Sequence, residues 1–393
     1  MDKLKLPENF LLGAAMSAHQ VEGNNSNSDW WGWEQKGRVP KSGKACDHYN
    51  RYSEDFSIAK DIGLNAVRIS IEWARIEPRE GQFDLEQIEH YRKVLLDLKS
   101  KGLTAFVTLH HFTLPNWLAE KRGFLNSRAP ELFARYAGYV TAHLGGHISL
   151  LGTINEPEVY ALMPYIKGLW PPFEKNIFHA FQIIHKLTRA HNLAYRAVKK
   201  VAPNLPVGIV KNNVYYEPFR KTNLLDKITC RIARYVGNFY ILNRVRNHSD
   251  FIGLNYYFSH VFKFSITRGV KDMTTEDPKS DMGWRTYPKG LYYLLLELKR
   301  YNKPVYITEN GIANAHDDMR KRYIKEHVEW ALQAKNEGAD LRGYFYWSLL
   351  DNYEWADGFG PRFGLVEIDY DNDQKRNVRK SAEIFKEIKS SHA

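Results

Sequence analysis

The chain has 393 residues, 44% of them hydrophobic, and 56 Lys and Arg against 45 Asp and Glu leave a formal charge of +11. That length buries a large core without disulfides or metals, and it suits one α/β barrel as well as two or three ordinary domains. Charges and a proline in Met1–Pro7 exclude a leader's apolar run, and no window nears the roughly 18 apolar residues of a membrane span.

Cys46 and Cys230 form neither a C-x-x-C pair nor a disulfide framework, so a globular protein of a reducing cytoplasm is expected. Along the chain, short apolar runs rich in β-branched and aromatic residues recur at 10–17, 65–71, 104–111, 149–155, 206–212, 250–257, 304–309 and 341–348. Segments of helical period lie between them. In 84–101, Leu85, Ile88, Tyr91, Val94, Leu95 and Leu98 recur at steps of three and four, and 130–144, 177–201, 287–301 and 320–336 behave alike. Short buried strands alternating with helices indicate parallel βαβ units. Eight units without a weak linker predict a single α/β domain over 1–393, a (β/α)8 TIM barrel. The rival is a doubly wound open sheet, which often opens on a Gly-rich turn, and no G-x-G-x-x-G or phosphate-loop pattern occurs.

A barrel collects its functional side chains from the C-terminal ends of its strands. Polar groups stand at those places: Gln20 and Glu22, Arg68, His111, Asn155-Glu156, Asn212-Asn213, Asn255-Tyr256-Tyr257, Glu309-Asn310, and Trp347 to Asp351. Glu156 and Glu309 each follow an apolar run directly, where a carboxylate is partly removed from water at a cost that partners or function must offset. Two carboxylates flanking one bond are the equipment of glycoside hydrolysis. The alternative for each alone is a helix cap or a partner for a nearby Arg. Neighbours on a strand face opposite ways, so with His111 inward His110 is structural, and a His110-His111 metal site is disfavoured.

These residues carry a resemblance. Thr153–Pro157 (T-x-N-E-P), Ile307–Gly311 (I-T-E-N-G), Gln20-Val21-Glu22-Gly23, 65–70, 111–115, 253–257 and the stretch from Trp347 through Glu354-Trp355 to Leu365 resemble the motifs of glycoside hydrolase family 1, the retaining β-glucosidases and β-galactosidases. They run in the family's order from residue 10 to about 370. The resemblance implies Glu309 as nucleophile and Glu156 as acid/base. Arg68 and Asn255 would support the nucleophile, with Tyr257 beside it as a substrate-binding residue. Gln20, His111, Asn155, Glu354 and Trp355 would bond the sugar hydroxyls, and Trp347 would form the platform under the ring. It further implies a β-glucosidase that needs no metal or organic cofactor. Its partner would be a small β-glycoside or short β-linked oligosaccharide, with no nucleic acid and no membrane span involved.

Family members acting on 6-phosphorylated glycosides replace the Glu-Trp of the last loop, so Glu354-Trp355 favours unphosphorylated sugar, a carboxylate there being expected to repel phosphate. A phospho-β-glycosidase and a catalytically silent sugar-binding protein are the rival readings. Transglycosylation stays open. The connections between Glu156 and Tyr257 are shorter than is usual for the family, which predicts an open leaving-group side and comparable turnover of aryl glucosides and cello-oligosaccharides. His19 and Phe112 stand where the family often has an aromatic and a Trp. Between Phe219 and His248 there are seven Lys or Arg and one acid, Asp226, an excess of six. That segment reads as an outer barrel helix with its apolar stripe inward and a solvated basic face, against the alternative of an anionic membrane or polyanion.

Overall fold

A computed structural model of the chain describes residues 6–275 and 280–391; the first five residues of the heptapeptide read as excluding a leader lie outside it. Eight parallel strands close into a barrel: β1 (Leu11–Ala15), β2 (Ala66–Ser70), β3 (Thr104–His110), β4 (Leu150–Asn155), β5 (Val207–Asn212), β6 (Phe251–Asn255), β7 (Val305–Asn310) and β8 (Leu341–Trp347). Each pairs with its neighbours in chain order, and β8 returns to β1. A helix follows each strand: α1 (His48–Asp61), α2 (Leu85–Ser100), α3 (Ala129–Leu144), α4 (Ile177–Val201), α5 (Leu224–Arg234), α6 (Pro288–Leu298), α7 (Arg320–Asn336) and α8 (Ile384–Ser391). The strands predicted from the apolar runs are all present, and 177–201 and 320–336 are helical to the residue.

The period-two alternation of the strands sorts their side chains into two layers. Phe106, Leu150, Val210, Phe251 and Phe345 fill the barrel interior, with Phe106 edge-on to Phe251 and Phe345 at 5.5 and 5.7 Å. Val67, Val107, Leu151, Ile209, Leu254 and Ile307 face the helices. The floor is crowded enough that a Cβ on Gly208 would stand 2.6 Å from the Phe251 ring. Asp84 caps α2: its Oδ1 accepts from the backbone of Glu86 and Gln87 at 2.8 and 3.1 Å.

Two expectations change. Leu85 was counted in the buried stripe of α2, but it is 63% exposed; as the first helical residue it precedes the turn that meets the strands. The apolar stripe of the basic segment is inward only in its second half, where Phe239, Ile241, Leu242 and Val245 are buried. Leu224, Leu225, Ile228 and Ile232 of α5 face solvent, while Asp226 and Cys230 are buried. The reason is a small sheet outside the barrel (Tyr215–Pro218, Ser259–Ser265 and Gly269–Asp272). Asp226 anchors the helix to it, accepting from the backbone N–H of Phe264 and from the guanidinium of Arg220 at 2.8 and 2.7 Å.

The loop after β8 is held by one buried carboxylate. Asp351 accepts two bonds from Arg379 at 2.8 and 2.9 Å and one from the Gly364 backbone at 2.8 Å. Arg362 reaches the same carboxylate only at 3.4 Å, so removing Arg379 leaves most of that charge unmatched in the interior. Arg379→Met is therefore expected to destabilise the chain by about 3–5 kcal/mol, read as a lowered denaturant midpoint by fluorescence; an unchanged midpoint would refute the role given to this pair.

Candidate active site

At the C-terminal end of the barrel lies a cavity of about 340 Å³. Its wall includes Gln20, His111, Phe112, Glu156, Asn212, Tyr257, Glu309, Trp347, Glu354 and Trp355. Five strand-end residues do not converge there. Glu22 is taken by Arg75 and Tyr91, Asp351 by Arg379, and Asn310 by Tyr323 and Tyr344; Tyr256 donates to the Tyr287 carbonyl, and Asn213 is buried behind the wall.

Both glutamates sit at irregularities of their strands. The register of β4 against β5 shifts between Gly152 and Asn155, and that of β7 against its two neighbours shifts between Ile307 and Glu309–Asn310. Such bulges turn side chains at the rims of barrels. Glu156 adopts a left-handed backbone at φ 43°, a conformation that costs a side-chain-bearing residue of order 1–2 kcal/mol. Its N–H bonds to the Val210 carbonyl at 2.9 Å, and Pro157 begins the following helix at once. Beyond Glu309, Gly311 admits the Trp347 carbonyl to a point 1.8 Å from where a Cβ would be, so β7 and β8 meet closely at their ends.

A polar network joins these groups. Arg68, fully buried, donates to Glu309 Oε1 at 2.5 Å, Asn155 Oδ1 at 2.8 Å and Thr108 Oγ1 at 3.0 Å. Tyr257 donates its hydroxyl to the other oxygen of Glu309 at 2.6 Å. Asn255 donates to Glu156 at 2.8 Å and is oriented by Thr308, which donates to its carbonyl oxygen at 2.7 Å. Asn255 thus supports Glu156 directly, where the resemblance had set it beside the nucleophile. Asn155, expected to bond the sugar, is fully buried beside the cavity. Its oxygen accepts from Arg68 and its amide donates to His111 Nε2 at 3.2 Å.

The electrostatics divide the two carboxylates. Burial, then the negative charge of Glu309, then that of Glu158 push the Glu156 carboxyl well above the usual range, against the Asn255 hydrogen bond and the cation of Lys211. Glu309 instead meets a guanidinium and a phenol, both donors to a negative oxygen. Burial, with the cation of Arg68 and His110, drives His111 well below its ordinary value. Its ring is therefore neutral, and since Nε2 accepts from Asn155, the proton sits on Nδ1, which has no partner among the described residues. Gln20 spends both amide hydrogens on Asn352 and the Tyr353 carbonyl and accepts from Ser17, leaving one lone pair. Trp347 donates its indole N–H to Glu354 at 3.1 Å, and burial raises Glu354 to about 8.

Trp355 lies among His19, Phe112 and Trp170, stacked on the His19 ring at 9° and 5.7 Å. His19 is a buried brace there, bonded to Glu34 at 3.1 Å. His110 packs edge-on against Phe124 and Tyr160 with neither nitrogen bonded among the described residues, and burial lowers it to about 3, as its structural reading requires.

Sequence reasoning missed the apolar outer wall formed by Leu162, Met163, Trp170, Phe258, Met282 and Trp284. It also missed Lys211, whose ammonium is buried against Glu158 at 2.8 Å. A lysine inside an apolar strand was a legible signal, because a buried charge needs a partner.

Comparison with known proteins agrees with this geometry. The model of "Glycosyl hydrolase family 1" matches residues 2–246 and 241–393. Beta-glucosidase A of Thermotoga maritima is 35% identical, covering 99% of this chain and 98% of its own. A beta-galactosidase of Pyrococcus woesei is 31% identical over 97% and 96%. The beta-glycosidase of Pyrococcus horikoshii superposes with a TM-score of 0.93 at 39% identity, covering 99% and 96%. The beta-glucosidase of Thermotoga maritima in complex with glucoimidazole does so at 0.92 and 34%, covering 99% of each chain. The barrel, the motifs at its strand ends and these full-length matches make the chain a member of glycosyl hydrolase family 1, an enzyme of that glycosidase family.

Proposed function

We propose that the chain is a retaining exo-β-glycosidase that removes terminal β-D-glucosyl residues through a covalent glycosyl-enzyme, with β-galactosides and β-fucosides as secondary substrates. One observation carries the reading: two buried glutamates share a cavity, one with its carboxyl pushed well above the usual range by burial and the charge of the other, and the other bound by cationic and hydroxyl donors. Carboxyls with environments that differ in this way make an acid and a nucleophile.

In the first step a Glu309 oxygen attacks the anomeric carbon while Glu156 passes its proton to the departing oxygen. Arg68 and Tyr257 hold the attacking carboxylate in place. Once Glu309 is an ester it carries no charge, so one of the causes that hold the proton on Glu156 is gone. Glu156, now ionised, takes a proton from water, the water attacks the same carbon, and Glu309 is released. The neutralisation in step one thus prepares the base for step two.

Sugar recognition draws on what the protein leaves unpaired. Gln20 offers a lone pair, His111 its Nδ1–H and Trp355 its indole N–H, with Trp347 as the ring platform and Asn155 acting through His111 and Arg68. Glu354, neutral below about pH 8, both donates and accepts. Burial thus weakens the repulsion of phosphate expected from its charge. Unphosphorylated sugar is supported instead by a wall that, among the described residues, contains no Lys or Arg. Leu162, Met163 and Trp170 of the apolar outer wall follow Glu156, the leaving-group side, which supports aryl aglycones over cello-oligosaccharides rather than equal turnover.

A panel of p-nitrophenyl glycosides tests the reading. Glu309→Gly should lose on the order of 10⁴-fold or more in kcat and regain turnover with azide, giving the α-glycosyl azide; unimpaired hydrolysis by that variant sinks the proposal. Removing the Glu309 charge should also lower Glu156, because that charge raises it. Carbon NMR of labelled Glu156 is expected to titrate at lower pH in Glu309→Gln than in the wild type, and an upward shift would contradict the scheme. An ionised Glu354 accepts charge-assisted bonds from hydroxyls, so KM should fall as pH rises through about 8. The Glu354→Gln variant, which cannot ionise, should show no such inflection.

A further inference from the structure

The rim formed after β4 and β5 exposes more apolar side chain than a solvated surface needs. Leu224, Leu225, Ile228 and Ile232 on α5, with Tyr235 and Val236 just beyond, recur at steps of three and four and share one face. They are 68, 41, 42, 59, 51 and 57% exposed. The helix is seated on its polar side, through Asp226, the reverse of an ordinary outer helix. A second group lies on the adjoining rim: Ile166 and Leu169 after β4, and Ile177, Phe178 and Phe181 in the first turns of α4, of which Phe178 is 75% exposed. β4 and β5 are neighbours in the barrel, and the Glu158 carboxylate accepts from the Asn212 backbone at 2.7 Å, tying the two rims together.

Cations border both groups. Lys221, Lys227 and Arg231 are exposed, as are Lys167 and Lys175. Among the described residues, Lys221, Lys227 and Arg231 make no ion pair, while the nearby acids Glu174 and Glu217 are matched by His179 and Arg285. Exposed apolar side chains clustered on one helix face mark an interaction site, and the charge beside them selects the partner. A second copy of this face would set Lys227 and Arg231 against their own kind, whereas acidic lipid headgroups would neutralise them while the apolar stripe enters the acyl boundary.

We infer that this rim docks on an anionic lipid surface, with α5 lying in the plane of the interface and the cavity mouth beside the headgroups. Residues 224–236 act as an interfacial helix rather than a span; among the described residues no helix is long and apolar enough to cross a membrane.

The experiment is sedimentation of the full chain with extruded vesicles of phosphatidylcholine alone or with phosphatidylglycerol added. Binding should require the anionic lipid and weaken as salt screens it. The double variant Ile228→Glu, Ile232→Glu should lower partitioning by more than about tenfold while hydrolysing a soluble p-nitrophenyl glycoside as the wild type does. Absence of binding, equal binding to neutral vesicles, or equal binding by the variant overturns the inference. So does self-association without lipid, seen by equilibrium sedimentation and abolished in the variant, because it assigns the face to a second copy.

Discussion

Arg68 carries its charge at a place with no access to water, and its surroundings are arranged to answer that charge. Such a guanidinium is tolerable only when its donors are met and its charge is matched. Glu309 supplies the charge, and Asn155, Thr108 and the Thr308 carbonyl take up further hydrogens. Each partner is committed in turn. Asn155, its oxygen bonded to Arg68, has only its amide left to offer His111, and that sets the imidazole tautomer. Strands β2, β3, β4 and β7 are thereby joined through their interior faces as well as through their ladders.

The same cation explains why two carboxylates in one cavity need not behave alike. Arg68 bonds directly to one of them, and the other sees that one as an unwelcome neighbour. Burial amplifies the difference, since a desolvated carboxyl has little but its immediate partners to stabilise a charge. Lys211 and Glu158 form a second buried pair behind Glu156, and their opposing influences on it partly cancel. The proton's position thus depends on groups contributed by β4, β5, β6 and β7.

Much of this was readable from the chain. Strand positions followed from apolar runs because a parallel strand buried on both faces must be apolar throughout. The helices of 177–201 and 320–336 followed from a period that fits one buried face. The glutamates announced themselves because two carboxylates, each at the end of such a run, are costly to bury together without a function. Less was readable where the answer lies with a distant segment. α5 has the pattern of an outer helix, and nothing in it says that Asp226 will be claimed by a sheet strand near Phe264, turning the stripe outward. Lys211 was visible as an anomaly, but its partner Glu158 lies in the short helix that follows β4.

Residue identity and period are local properties, set by covalent chemistry and by the geometry of one helix or strand, so the sequence by itself determined the barrel, the order of its units and the residue types at its mouth. Protonation, side-chain direction and which face meets water depend on desolvation and on distances between segments far apart in the chain. Only the tertiary structure decided that Asn155 is committed to Arg68 and His111, that burial raises Glu354 to about 8, that bulges in β4 and β7 turn the two glutamates to one cavity, and that α5 shows its apolar side to the solvent.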